Sequence, residues 1–194
     1  MENTDEQLKK MINLAQAGDS QAFASVYDLY IGKIYNFIFY KTLHQPLAED
    51  LTSQTFLKAW KNIKQFQSGS FSAWLYSIAR NLVIDHFRAQ KEFLNIDDCW
   101  DLQASDDIFK EVDDRLKIEK IKTAFSQLNS KEREILILRF WQDLSFKEIA
   151  LILQKNEGAV KMSFGRAVNA LKKEMPLELF ILAPLILNLW KKIN

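Results

Sequence analysis

The sequence predicts an all-α chain: two small helical domains joined by an acidic linker, with an apolar C-terminal extension. Three observations predict this. Apolar residues recur at helical spacing through most of the 194 positions, whereas only 5 Gly and 3 Pro are present, too few for a fold built on many tight turns. With 48% apolar residues, among them 14 Phe, 5 Trp and 5 Tyr, there is material for a core in each half. Charge is partitioned as well. Residues 1–92 carry 10 basic and 9 acidic side chains, residues 93–114 carry 1 and 8, and residues 115–176 carry 13 and 7. A near-neutral block, an acidic spacer and a basic block describe two modules and a connection. The domains are expected at 5–92 and 115–175, the linker at 93–114 and the extension at 176–194.

The elements follow in order. Thr4-Asp5-Glu6-Gln7 reads as a capping box opening a first helix with Leu8, Met11, Ile12 and Ala15, ended by Gly18-Asp19. Ser20 is expected to cap a second helix, whose stripe Phe23, Val26, Tyr27, Tyr30, Ile34, Phe37 and Ile38 reads as core. Pro46 suits the first turn of a third helix, which runs through Leu51, Phe56, Leu57 and Trp60. Lys64 to Ser70 is a loop, and Ser70 can cap a fourth helix. That helix sets Phe71, Trp74, Leu75, Ile78, Leu82 and Phe87 on one face and Arg80, Asn81, Asp85, Arg88 and Lys91 on the other. Periodicity fades from Phe93 to Asp114, where Asp accumulates. A helix is expected from about Arg115 to Phe125, and Ser130 is expected to cap a further segment with Ile135, Leu136 and Leu138. Ser145-Phe146-Lys147-Glu148 is a second capping box, opening a short helix. After Gln154-Lys155-Asn156 comes a basic helix with Val160, Phe164, Ala167 and Leu171 on one stripe.

Several chemistries are excluded. One cysteine, Cys99, permits no internal disulfide, and two distant histidines, His44 and His86, make no ligand cluster. The sequence shows no nucleotide-binding loop and no nucleophile constellation. Neither a catalytic residue nor a metal ligand nor a cofactor is therefore assigned, and no small-molecule substrate is expected. The acidic N-terminus resembles no secretory signal, which points to the cytoplasm.

A short capped helix, a tight turn and a longer basic helix fit a helix-turn-helix; an ordinary helical hairpin with a solvated basic face is the lesser alternative. In the first reading, Gly158, Ala159, Met162, Gly165, Arg166 and Asn169 lie opposite the apolar stripe, with Lys161 on the flank.

Longer blocks carry a resemblance. The run 128–140, beginning Leu128-Asn129-Ser130-Lys131-Glu132-Arg133-Glu134, continues through Leu144-Ser145-Phe146-Lys147-Glu148-Ile149-Ala150 and Glu157-Gly158-Ala159-Val160-Lys161. It resembles the fourth domain of sigma-70-family bacterial sigma factors. The block 48–60, centred on Asp50 and Gln54, resembles the polymerase-binding helix of domain two, and 71–88 resembles the promoter-reading helix after it. Without counterparts of domains one and three, the chain looks like a member of the extracytoplasmic-function (ECF) group.

The resemblance implies a factor that binds core RNA polymerase and promoter DNA, directs initiation at minus-10 and minus-35 elements, and is masked by an anti-sigma protein. It implies polymerase contacts at Glu49, Asp50, Gln54 and Lys58. Minus-10 contacts fall to Phe66, Arg80, Asn81, Asp85 and Arg88, with Phe71, Trp74 and Tyr76 near the loop. Trp74 is assigned to core, because it lies on the apolar stripe. Minus-35 contacts fall to Glu157, Gly158, Ala159, Lys161, Met162 and Arg166. Met162, Ser163 and Gly165 stand where relatives commonly carry polar or basic residues, which predicts weak or unusual base readout. A stand-alone helix-turn-helix regulator, or a polymerase-binding decoy, are the other readings. The stretch Leu177 to Trp190, broken by Glu178, Pro184 and Asn188, is too short for a membrane span. It suits a helix packed on the protein, a regulatory segment or an interfacial anchor.

Overall fold

The computed structural model describes residues 2–42, 44–90 and 128–174. Two compact units, Met1–Phe93 and Leu94–Asn194, divide the chain, and each is described by itself. The expected linker, the helix near 115–125 and the C-terminal extension lie outside the described residues.

In the first unit α1 spans Glu2–Gln16. Thr4 therefore lies inside the first turn and not at the cap. The helix closes in a Schellman turn. Gly18 takes φ 100°, its N–H donates to Ala15 O at 3.0 Å, and Asp19 N–H donates to Leu14 O at 3.1 Å. Asp19 then caps α2 (Ser20–Thr42), its Oδ1 accepting from Gln21 N–H at 2.9 Å and Ala22 N–H at 3.0 Å. The cap thus falls one residue before Ser20, where a carboxylate also meets the positive helix end.

Pro46 sits in the first turn of α3 (Gln45–Asn62), as its missing N–H predicts. The cap is His44, whose Nδ1 accepts from Leu47 N–H at 3.1 Å. A 3-10 turn at Ile63–Gln65 ends α3, and after the loop Ser70 caps α4 (Phe71–Gln90), its Oγ accepting from Ala73 N–H at 3.2 Å.

Helices α2, α3 and α4 meet through rings. Tyr27 packs on Phe56 at 4.6 Å, Phe23 on Trp60 at 4.9 Å, Phe37 on Tyr76 at 5.3 Å and Tyr30 on Phe71 at 5.7 Å. Val26, Ile34, Ile38, Leu51, Leu75 and Val83 fill the space between them. Burying each large apolar side chain contributes about 1.5–3 kcal/mol, and edge-on ring pairs add about 0.5–1.5 kcal/mol.

In the second unit α5 (Ser130–Leu136) is capped by Asn129, not Ser130. Its Oδ1 accepts from Glu132 N–H at 2.9 Å, and Glu132 returns a bond to the Asn129 N–H. The one-residue shift follows from Glu132, which can reach back only to the residue three before it. α5 continues into a π-helical turn, Ile137–Trp141, a widening that the sequence pattern does not signal. Leu144 N–H donates to Leu138 O at 3.1 Å, and Arg139 Nη1 donates to Leu144 O at 2.8 Å. These bonds turn the chain into α6 (Phe146–Leu153). Its expected capping box is present: Glu148 N–H donates to Ser145 Oγ at 3.2 Å, and Ser145 N–H donates to Glu148 Oε2 at 2.9 Å.

The turn to α7 (Glu157–Glu174) passes through Gln154 in the left-handed region, φ 54°. Asn156 Oδ1 accepts from Ala159 N–H at 2.7 Å and caps α7. Val160, Ala167 and Leu171 pack against Ile135, Leu136, Leu138, Ile149 and Ile152 in a small core.

Candidate functional site

Three exposed helix faces carry the residues singled out from sequence. On α3 the buried stripe is Ala48, Leu51, Thr52, Thr55, Phe56 and Ala59. The two threonine hydroxyls are satisfied within the helix, donating to Ala48 O at 2.6 Å and Leu51 O at 2.7 Å. Glu49, Asp50, Gln54 and Lys58 lie on the opposite, exposed side. Gln54 Nε2 donates to Asp50 Oδ2 at 2.8 Å, and Gln45 Nε2 donates to Glu49 Oε1 at 3.0 Å. Burial and, secondarily, the Glu49 carboxylate raise the Tyr35 phenol above its ordinary pKa. Leu57, part of the apolar run in the sequence, is 60% exposed on this face. Its helical position, three after Gln54 and off the buried stripe, is the signal that could have marked it for a partner.

The second face combines the loop after α3 with α4. Phe66 is half-buried, 5.4 Å from Phe71 and 5.5 Å from Trp74, and Phe71 and Trp74 are 5.4 Å apart. Trp74 is thus half-buried against the loop and not wholly core. Tyr76 and Phe71 are withdrawn from any ligand, at 1% and 4% exposure, because their rings close the α2–α4 interface. Asn81, Asp85 and Arg88 are exposed along one line of α4, and Arg80 is half-buried beside them.

The third face is on α7. Gly158, Lys161, Met162, Arg166 and Asn169 are exposed, while Glu157, Ala159 and Gly165 are half-buried. Met162 stands 68% exposed. Lys161 Nζ is 2.6 Å from Glu157 Oε1, a surface pair contributing about 0.3–0.5 kcal/mol. The same ammonium lies 5.9 Å from the Phe146 ring centroid, and the Arg139 guanidinium lies 5.0 Å from it. Arg166 Nη2 donates to Ser163 Oγ at 3.2 Å. A Cβ on Gly165 would meet nothing within 4 Å, so packing does not require glycine there.

Among the described residues, no group of three or more His, Cys, Asp or Glu could hold a metal ion. No helix of the described residues is long and apolar enough to cross a membrane.

A short capped helix, a left-handed turn and a longer helix with a polar outer face make a helix-turn-helix. The family model of Sigma-70 region 2 matches residues 26–93, and that of Sigma-70, region 4 matches residues 118–171. The ECF RNA polymerase sigma factor SigW of Bacillus subtilis is 32% identical over 181 residues, covering 87% of this chain and 96% of SigW. The chain belongs to the ECF group of the sigma-70 family. This sigma factor is also 36% identical over 178 residues to the ECF sigma factor BldN of Streptomyces coelicolor, covering 87% of the chain and 66% of BldN. A solved structure, the sigma factor RpoE in complex with the anti-sigma factor NepR from Bartonella quintana, is similar at TM-score 0.61 and 26% identity. The match covers 80% of this chain and 97% of that one. As a member of the family the protein directs transcription initiation, a regulatory task. The matches to both regions favour this over a stand-alone regulator or a decoy.

Proposed function

We propose that this sigma factor holds core RNA polymerase through the exposed α3 face formed by Glu49, Asp50, Gln54 and Lys58, to which Leu57 adds an apolar anchor. The Asp50–Gln54 bond supports this reading, because it pre-orients two polar groups for a partner at little further cost in side-chain entropy. The same factor captures the opened minus-10 strand with the Phe66 loop and the Arg80, Asn81, Asp85 and Arg88 line of α4. Extruding a base costs a few kcal/mol, and stacking on an aromatic side chain returns about 1–3 kcal/mol per base. α7 then seats in the major groove at the minus-35 element through Glu157, Gly158, Ala159, Lys161, Met162 and Arg166. The chain supplies recruitment and no catalytic step of its own. It works in the cytoplasm, where polymerase and promoter DNA are its partners and an anti-sigma protein masks its two domains, 5–92 and 115–175.

The single observation that carries the reading is the exposure of all three polar faces on one chain whose sequence matches regions 2 and 4. Transcription with purified core polymerase and a promoter library tests it. Specific transcripts are expected from the intact chain. They should be lost when Asp50→Lys reverses the charge at the polymerase face. Polymerase binding without any specific transcript would overturn the reading.

A further inference from the structure

Helix α1 precedes the residues matched by the region 2 family model, which begins at residue 26, yet it reaches the Phe66 loop. Gln16, the last residue of α1, sends its side-chain amide to two carbonyls far along the chain. Its Nε2 donates to Ile63 O at 3.1 Å and also to Phe66 O. These carbonyls bracket the 3-10 turn at the point where the backbone leaves helical geometry, with Phe66 at φ −73° and ψ 105°. The Phe66 N–H already donates to Ile63 O at 3.1 Å, and the Ile63 side chain is 2% exposed in the core. Ile63 O therefore accepts twice, Phe66 is held at both its N–H and its carbonyl, and the Phe66 ring is set against Phe71 and Trp74.

Gln16 is itself held in place. The Schellman turn ends α1 one residue later, and Asp19 both completes that turn and caps α2. The helix junction thus aims a two-fold donor at the Phe66 carbonyl and at the Ile63 carbonyl, which also accepts from the Phe66 N–H.

We propose that Gln16 is a positioning residue for strand capture: it fixes the presentation of Phe66 to single-stranded DNA without touching DNA. The inference rests on the proposed role of the Phe66 loop. Preorganisation is what it contributes, since a loop already held in its binding shape loses less freedom when the strand arrives.

The test uses holoenzyme reconstituted from core polymerase and the full chain, with a fluorescent single-stranded minus-10 oligonucleotide taken from a promoter selected in the library experiment. Gln16→Met keeps side-chain length and removes the donors; Gln16→Glu replaces donors with acceptors. Both should lower oligonucleotide affinity by about tenfold, the effect of losing two bonds to backbone carbonyls. Core-polymerase affinity and duplex minus-35 binding, which also report a folded chain, should stay within about twofold, inside the spread of near-neutral surface changes. Because Gln16 acts through Phe66, the double variant Gln16→Met/Phe66→Ala should bind no more weakly than Phe66→Ala. Full additivity of the two losses overturns the inference, as does wild-type affinity in both Gln16 variants. A loss of core binding equal to the loss of oligonucleotide binding does so too, since it marks a general structural role. If Phe66→Ala itself leaves oligonucleotide affinity unchanged, the loop assignment and the Gln16 inference fall together. If Phe66→Ala weakens binding and the Gln16 variants do not, only the inference falls.

Discussion

Helices α4 and α7, of 20 and 18 residues, face nucleic acid in the proposed reading and are built in different ways. α4 contains no glycine, packs Phe71, Leu75, Tyr76 and Val83 into an aromatic core, and leaves Asn81, Asp85 and Arg88 outside. α7 is held by a thinner contact of Val160, Ala167 and Leu171, and its outer side includes Gly158, Gly165 and the exposed thioether of Met162. Two glycines in one helix, with Gly165 in open space, cost about 1 kcal/mol each when interior. In the proposed reading the difference teaches that α4 is a platform for polar side chains. On that reading α7 offers a duplex a surface kept smooth by glycine at 158 and 165, with charge at its flanks.

Phe66→Ala should have the largest effect on that contrast. Oligonucleotide binding should weaken by about 1–3 kcal/mol, measured by fluorescence anisotropy, with duplex minus-35 binding unchanged. A parallel loss on duplex would break the division of labour between the two helices. Next, Arg166→Ala should weaken promoter binding across sequences and reduce the slope of log affinity against log salt by about 1. A change in sequence preference at constant slope would instead make Arg166 a base reader. Gly165→Ala should stabilise the second unit by about 1 kcal/mol, seen as a higher thermal midpoint of the full chain. If the smooth surface matters, duplex affinity falls while stability rises. If affinity is retained, α7 tolerates a Cβ at the groove and the contrast narrows.

A last prediction concerns the first unit alone. Burial pushes the Tyr40 phenol up to about 12, above its ordinary value of 10.0. The folded state therefore favours the neutral phenol over the ionised one. The associated stability is intact below about pH 10 and is lost as pH rises towards 12. Urea midpoints between about pH 9 and about pH 12 should show that loss and, in Tyr40→Phe, a smaller one.

Helix existence was legible because it depends on neighbours three and four residues apart. The stripe of Val160, Ala167 and Leu171, the Ser70 cap and the Ser145–Glu148 box are all local. Caps moved by one residue at Asp19 and Asn129, where several good capping residues stand side by side and a single hydrogen bond decides among them. Leu57 reads in the sequence only as one of the apolar residues running through α3; its position off the buried stripe is what marks it as exposed.

The exposed polar lines of α3, α4 and α7 were set by sequence alone, through helical periodicity and the polarity of each position. Tertiary structure alone decided which aromatics near the Phe66 loop stay at the surface. Phe71 and Tyr76 turn inward to meet rings on α2, whereas Phe66 and Trp74 remain half-exposed. It also brought the Gln16 amide to carbonyls 47 and 50 residues away. Periodicity reports which face of a helix is apolar. It carries no information on which distant group will satisfy a backbone carbonyl once the chain has folded, because that distance is set by packing.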